Sequence, residues 1–321
     1  KLANHGVGFI ISIILARLLT PEEFGLVAMI NVLLAMATIL MEVGLGEALI
    51  QRKRLLPIHY SSVFYFNVFA GCLLSIITYL SAEAIADFYE RTELILLTQA
   101  MSISFFLSSL VIVQNSRLAK ELNFKKIAIF KLISSLLSGL VGVVLALNNY
   151  GVWSLVVQIL LGILIYVIII WTQVKWIPQF RFSLKALKNL WGYGFRMFLS
   201  AVLNKVFVKI DVLIIGKIFH ASALGFYQRA RSFEQMVIQY SSGSMMEVLF
   251  PLFCQIQTDT GRLKNLVLKA LNALSLVVFY LLGVLYLCAD NIIVVLLTEK
   301  WLVSAVYFKI LLLGGYAYPF S

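Results

Sequence analysis

Lys205, Lys209 and Lys217 interrupt one apolar run of this chain. On a helix turning about 100° per residue they fall within about 120° of one another. Asn204 and Asp211 fall together on roughly the opposite side. The next apolar run carries Arg231, Gln235, Gln239 and Ser242 at steps of four, four and three, a continuous polar stripe suited to line water or a partner helix. An earlier run repeats the idea with Asn31, Thr38 and Glu42, and Arg17 ends the first run. The chemistry open to these groups is recognition rather than bond-making. Lysines and arginines would hold an anion, the Gln/Ser stripe would hold hydroxyl-rich groups, and Glu42 and Asp211 are candidates for a proton or a coupling cation.

The medium makes these residues informative. Of 321 residues, 61% are hydrophobic and only 13% are charged, with a mean hydropathy of +0.96. A soluble domain is nearer half apolar and a quarter charged. Pro21, Pro57, Pro178, Pro251 and Pro319 sit at or near the ends of apolar runs of about twenty residues, the length a helix needs to cross a bilayer. Alternating ten-residue strands are absent, which excludes a transmembrane β-barrel. The composition predicts an all-α polytopic membrane protein with about ten spans, near 2–19, 26–43, 63–86, 94–113, 127–147, 152–171, 192–215, 226–249, 267–288 and 304–321. The stretch 292–297 is too short to cross alone and is expected to cap an outer loop. The chain opens and closes inside apolar helices and reads as a fragment.

Within lipid, an ionisable group defaults to a functional hypothesis. Cations in or beside the spans (Arg17, Arg196, Lys205, Lys209, Lys217, Arg229, Arg231) outnumber acids (Glu42, Asp211, Glu234, Glu247). In low dielectric that surplus favours an anionic ligand. Plainer readings stay open. Lys205, Lys217 and Arg17 can snorkel to the interface, and the polar stripes can be glue between helices. Arg229 lies about 200° from Arg231, so the two do not face one centre. Glu83 and Glu234 read as pairing partners. Lys209, in mid-span, is the cation that snorkelling explains least.

The net charge of +11 is partitioned between the loops. One side holds Arg52, Lys53, Arg54, Arg117, Lys120, Lys125, Lys126, Lys175, Arg181, Lys185, Lys188, Arg262, Lys264 and Lys269. The other holds Glu22, Glu23, Asp87, Glu90, Arg91, Glu93, Asp290, Glu299 and Lys300, with Lys217 at a helix end. Basic loops face the cytoplasm, so the first span runs outwards, and nucleic acid is not needed to explain the charge. The stretch 172–191 places Arg181, Lys185 and Lys188 at steps of four and three, with Leu184, Leu187 and Trp191 at similar spacing. This predicts an amphipathic connector on the inner surface, or more plainly a snorkelling linker between two lobes. A shift of 200 residues aligns 11–27 with 211–227, pairing Arg17 with Lys217 and Gly25 with Gly225. An even number of spans separates the copies, which suits two lobes related by an axis along the membrane normal. The expected organisation is an N-terminal lobe over 1–171, the connector over 172–191, and the start of a second lobe over 192–321.

Signatures of soluble enzymes are missing. There is no GxxxxGK[ST] phosphate loop, and His5, His59 and His220 lack zinc spacing. Cys72, Cys254 and Cys288 read as small apolar fillers. No long outer loop exists to carry a catalytic dyad. Neither an enzyme activity nor a cofactor is expected, apart from coupling to a Na+ or H+ gradient.

The segments LARLLTPEEFGLVAM (15–29), GLGEALIQRK (44–53) and NYGVW (149–153) resemble the polysaccharide-transport family, the Wzx-type flippases of the MATE/lipid II flippase superfamily. The first two are similar to the branch of colanic-acid exporters and teichuronic-acid proteins. The resemblance implies two six-helix lobes in a MATE-like arrangement around a central cationic cavity, with further helices beyond this chain. It implies alternating access carrying an undecaprenyl-diphosphate-linked glycan outwards across a bacterial inner membrane. A polysaccharide polymerase and chain-length proteins are further candidate partners. Candidate substrate-binding residues are Arg17, Lys205, Lys209, Lys217, Arg231, Gln235 and Gln239, with Glu42 and Asp211 for the coupling ion or proton. A MATE-like exporter of small organic ions and a non-catalytic membrane partner in polysaccharide assembly are the competing readings.

Overall fold

A computed structural model describes residues 2–52, 54–238 and 260–316. Among them all regular structure is helical. Six helical stretches are long and apolar enough to cross a membrane: Pro21–Met41, Pro57–Leu80, Leu94–Lys120, Phe124–Leu147, Val152–Gln173 and Lys264–Leu297.

Helix α1 (Leu2–Leu18) ends with Arg17 in its last turn, where a cation meets the negative end of the helix dipole. The chain then restarts at once. Thr20 caps α2 (Pro21–Glu42): its hydroxyl accepts from Glu23 N, and Glu23 Oε2 accepts from Thr20 N at 2.7 Å. With Pro21 opening the helix, the TPEE tetrapeptide is a complete capping box. Gly25 follows on the packed side, where a Cβ would run into the backbone carbonyl of Ala221.

Val43 and Gly44, both at positive φ, turn the chain into α3 (Leu45–Gln51), a two-turn helix where a loop was expected. It forms because Leu45, Ala48 and Leu49 recur at helical spacing and bury against Val63, Phe64 and Val113. Helix α4 (Pro57–Leu80) begins six residues before the expected span, opened by Pro57 and by His59 Nδ1, which accepts from Leu56 N at 3.2 Å. A short α5 (Ala82–Tyr89) precedes α6 (Leu94–Ser109) and α7 (Ile112–Lys120). At the break between the last two, Trp171 Nε1 donates to the Leu110 carbonyl at 3.1 Å. Helices α8 (Phe124–Leu147) and α9 (Val152–Gln173) pack closely, joined by a turn through Gly151 at φ +56°.

The connector differs from expectation. Residues 184–191 are not a separate surface helix but the first two turns of α10 (Leu184–Ile218), 35 residues long. Ala186, Leu187 and Leu190 are buried, the last two in one cluster with Leu45, Leu49, Val63 and Phe64. Of the three apolar residues that suggested a lipid surface, Leu187 is covered by α3 and α4, while Leu184 and Trp191 are exposed. The strap before it is pinned as well: Gln179 N donates to Ser61 Oγ and Ser183 N to Ser62 Oγ, both at 2.9 Å. The Arg117 guanidinium lies over both the Tyr60 and Trp176 rings, 5.6 and 5.4 Å from their centroids.

Contacts divide the chain into two compact units, Lys1–Ala221 and Ser222–Ser321. Helix α10 therefore groups with the first unit, packing on α2, α3 and α4. The second unit holds nearly all of α11 (Ala221–Ile238), then α12 (Thr260–Leu297), a 3-10 turn at Glu299–Trp301, and α13 (Leu302–Gly315). Trp301 is fully buried there against Phe226, with Phe308 and Leu312 also inside. The stretch 292–297 is the end of α12 rather than an independent cap. The 200-residue shift does map helix breaks onto one another. Helix α1 ends at Leu18 and α10 at Ile218; α2 starts at Pro21 and α11 at Ala221.

Candidate functional site

Lys205 and Lys209 lie one turn apart on α10, both half-buried. Lys205 lines a small cavity of about 230 Å³ together with Thr38 and Ile39 of α2, Glu47 of α3 and Ala201. Thr38 donates its hydroxyl to Ala35 O at 2.8 Å and shares this cavity with Lys205 of α10. Asp211, also half-buried, accepts at Oδ1 from Val212 N at 2.9 Å. Glu42 is the last residue of α2. Arg17 is exposed at the end of α1.

Lys217 lies apart from these. Its ammonium is 2.9 Å from Glu90 Oε1 and 5.3 Å from the centre of the Phe88 ring. Close by in sequence, Arg91 pairs with Glu22 at the start of α2 and with Glu93 at 3.3 Å. The Arg91 guanidinium is held above its ordinary range, chiefly by the Glu22 carboxylate. The Glu93 carboxyl is held below its own, first by its own backbone N–H and then by Arg91. This end of the first unit is a lattice of exposed ion pairs.

In the second unit, Arg231 donates through Nη1 to Tyr227 Oη at 3.2 Å and lies over the same ring. Gln235 is exposed one turn on, while Glu234 is buried. Arg229 stacks over Trp301 at 5.9 Å, on a different side from Arg231. Gln239, Ser242 and Glu247 lie outside the described residues.

A second cavity, about 760 Å³, opens inside the first unit among α3, α6, α7, α8 and α9. It was not anticipated. Its lining includes Glu47, Asn115, Lys131, Ser134, Gln158 and Tyr166. The signal was present in the sequence: Lys131, Ser134, Ser135 and Ser138 recur at steps of three, one and three, one polar stripe in an apolar helix. Glu47 sits inside GLGEALIQRK and lines both cavities.

The family follows from comparison with known proteins. A family model described as polysaccharide biosynthesis protein matches residues 14–306. The chain belongs to that family. It is 29% identical over 284 residues to the teichuronic acid biosynthesis protein TuaB of Bacillus subtilis, covering 87% of this chain and 58% of that protein. It is 28% identical over 303 residues to the succinoglycan biosynthesis transport protein ExoT of Rhizobium meliloti, covering 94% and 61%. The lipopolysaccharide biosynthesis protein WzxC of Escherichia coli is 24% identical over 302 residues, covering 92% and 61%. The chain thus spans about three fifths of these relatives. Among solved structures, the lipid II flippase MurJ in an inward closed conformation superposes with a TM-score of 0.78 at 16% identity, covering 98% of this chain and 71% of that one. An inward-facing MATE-family multidrug resistance transporter gives 0.69 at 15% identity, covering 96% and 76%. The fold is that of the MATE and lipid II flippase transporters, and the chain is a multi-pass membrane protein.

The segments that carried the family resemblance have structural reasons. TPEEFG caps α2 and supplies the close approach at Gly25. NYGVW turns α8 into α9, and a Cβ on its Gly151 would lie 2.6 Å from Glu23 Oε1, so the two segments meet.

Proposed function

We propose that this chain is the transport-bearing part of a flippase. It moves an undecaprenyl-diphosphate-linked oligosaccharide from the cytoplasmic to the outer leaflet of a bacterial inner membrane by alternating access. The observation that carries the reading is the pair Lys205 and Lys209, half-buried one turn apart within a 35-residue helix. A diphosphate in a bilayer needs compensating charge near the midplane, because desolvating an unpaired ion costs several kcal/mol. Two ammonium groups on one face offer that charge, and Arg231, Gln235 and Gln239 are further candidate substrate-binding residues of the second unit. Membership of the polysaccharide biosynthesis family and the likeness to a lipid II flippase support the same substrate class.

Arg17 and Lys217 would guide the headgroup near the outer side, with Lys217 released from Glu90 when that side opens. Asp211 and Glu42 are the groups proposed for a coupling Na+ or H+. The basic loops face the cytoplasm in this proposal, so α1 runs outwards. A polysaccharide polymerase and chain-length proteins would receive the product. The MATE-like likeness favours, as second reading, an exporter of small organic ions; the surplus of cations fits organic cations poorly.

Deleting the gene and analysing the lipid fraction tests the proposal. Accumulation of lipid-linked repeat units inside, with loss of surface glycan, is expected. Unchanged lipid-linked pools would overturn it.

A further inference from the structure

The 760 Å³ cavity of the first unit lies within the range of about 300–1,000 Å³ typical of sites for small organic ligands. Its chemistry is more selective than its size. Ser116 and Ser134 are almost fully buried, and each has already spent its hydroxyl proton: Ser116 on Ile112 O at 3.0 Å, Ser134 on Phe130 O at 2.8 Å. Tyr166, also buried, donates to Asn115 Oδ1. These three oxygens have only lone pairs to offer. Asn115, whose carbonyl accepts that proton, has its N–H pair to offer, and Gln158 has both kinds of group.

The charges in the lining are opposed, Lys131 on α8 and Glu47 on α3. A lone anion would meet Glu47, and a lone cation would meet Lys131. The volume is also far beyond that of one ion or water, about 30 Å³. An alkyl chain would answer none of the hydrogen-bonding groups. What fits is a neutral group carrying many donors that also accept.

We propose that this cavity binds the sugar rings of the substrate, a neutral polyhydroxylated ligand, within the N-terminal unit. The sugar identity rests on the flippase reading above; the polyol chemistry rests on the cavity. Each sugar hydroxyl donates to Ser116, Ser134 or Tyr166 and accepts from Asn115, Gln158 or Lys131. The lipid diphosphate is then held elsewhere, by the α10 lysines, and the two parts of one substrate are gripped by separable sites.

The test uses the full-length protein in lipid nanodiscs and two probes. One is undecaprenyl diphosphate. The other is the free glycan released by mild acid from the lipid-linked pool of a deletion strain. Saturation-transfer NMR reads the glycan, and a filter assay reads the lipid. Wild type should bind both. The double variant Ser134→Val, Gln158→Leu should lose about tenfold in glycan binding, from two lost hydrogen-bonding groups, and keep wild-type affinity for the lipid. Glycan binding unchanged in the variant overturns the sugar site, as does equal loss of both probes. Wild type binding the lipid but no glycan removes the sugar site and leaves the flippase reading standing. Wild type binding neither removes both.

Discussion

The ammonium of Lys217, at the end of α10, lies 2.9 Å from Glu90 Oε1, just past the end of α5, and above the ring of Phe88. It ties the last turn of a long helix to a tight turn held by Glu90 at φ +56°. Both side chains are well exposed, 39% for Lys217 and 81% for Glu90. An exposed pair is worth at most about 1 kcal/mol. Glu90→Gln should therefore barely move the thermal unfolding midpoint of the detergent-solubilised protein. A loss of several degrees would show the pair to be shielded.

The neighbouring cluster of Arg91, Glu22 and Glu93 carries a pH dependence of known sign. The Glu93 carboxyl is depressed, first by its own backbone N–H and then by Arg91. A depressed carboxylate contributes stability that is present above its unfolded value and lost as pH falls through the folded one. The cluster should hold at neutral pH and loosen only below the usual glutamate value of about 4.5. Hydrogen exchange over residues 90–94, corrected for intrinsic rates, should stay flat from about pH 7 to about pH 5 and rise below about pH 4. A rise already near pH 6 would assign the response to another group.

Gly25 gives a sharper mutational contrast. A Cβ there meets the Ala221 carbonyl, backbone that cannot swing aside, whereas Gly8 has nothing within 4 Å. Gly25→Ala should cost about 1–3 kcal/mol or more, the range for overpacking a fitted contact. Gly8→Ala should be neutral or gain up to about 1 kcal/mol from helix propensity. Thermal unfolding of the two variants side by side decides it, and equal stability would refute the close approach.

Much of this was legible beforehand, and most of the exceptions share a cause. Pro21 and Pro57 were read at the ends of apolar runs and do open α2 and α4, but the spans were expected only from 26 and 63, because the Thr20–Glu23 capping box was not recognised. Burial by other helices is not local. Leu187 alternates with charges as a surface helix would, yet α3 and α4 cover it. Lys131 gained a reading only from the cavity that α3 and α9 help to line around it. The α10 lysines were found because three of them recur on one face. Glu47 was missed because a lone carboxylate in a short loop segment announces nothing until two cavities share it.

The pinned strap yields a prediction about the connector. Arg117 lies over both Tyr60 and Trp176, and Gln114 Nε2 donates to Trp176 O at 3.4 Å. A lysine lacks the planar guanidinium that packs over aromatic rings. Arg117→Lys and Trp176→Ala should both expose residues 174–183 to protease in inverted vesicles, well before the rest of the chain is cut. Wild-type resistance in both variants would show the hydrogen bonds from Gln179 and Ser183 to be sufficient alone.

Lys209 is where the transport mechanism can fail most cleanly. It lies inside the expected seventh span, half-buried one turn beyond Lys205. If it neutralises a crossing diphosphate, charge at this position matters more than shape. Lys209→Ala in the full-length protein should abolish or sharply reduce surface glycan in a complemented deletion strain while the protein still inserts. Lys209→Arg should be milder, because it keeps the charge and changes only how it is presented. Gln235→Ala removes one neutral hydrogen-bonding group, worth about 1 kcal/mol, and should cost less than the alanine at 209. Glycan export and membrane levels are measured together, so loss of protein is not mistaken for loss of transport. Wild-type surface glycan from Lys209→Ala at normal abundance would mean that the diphosphate crosses without this lysine. Lys205, which lines the small cavity with Glu47, would then be the next cation to replace.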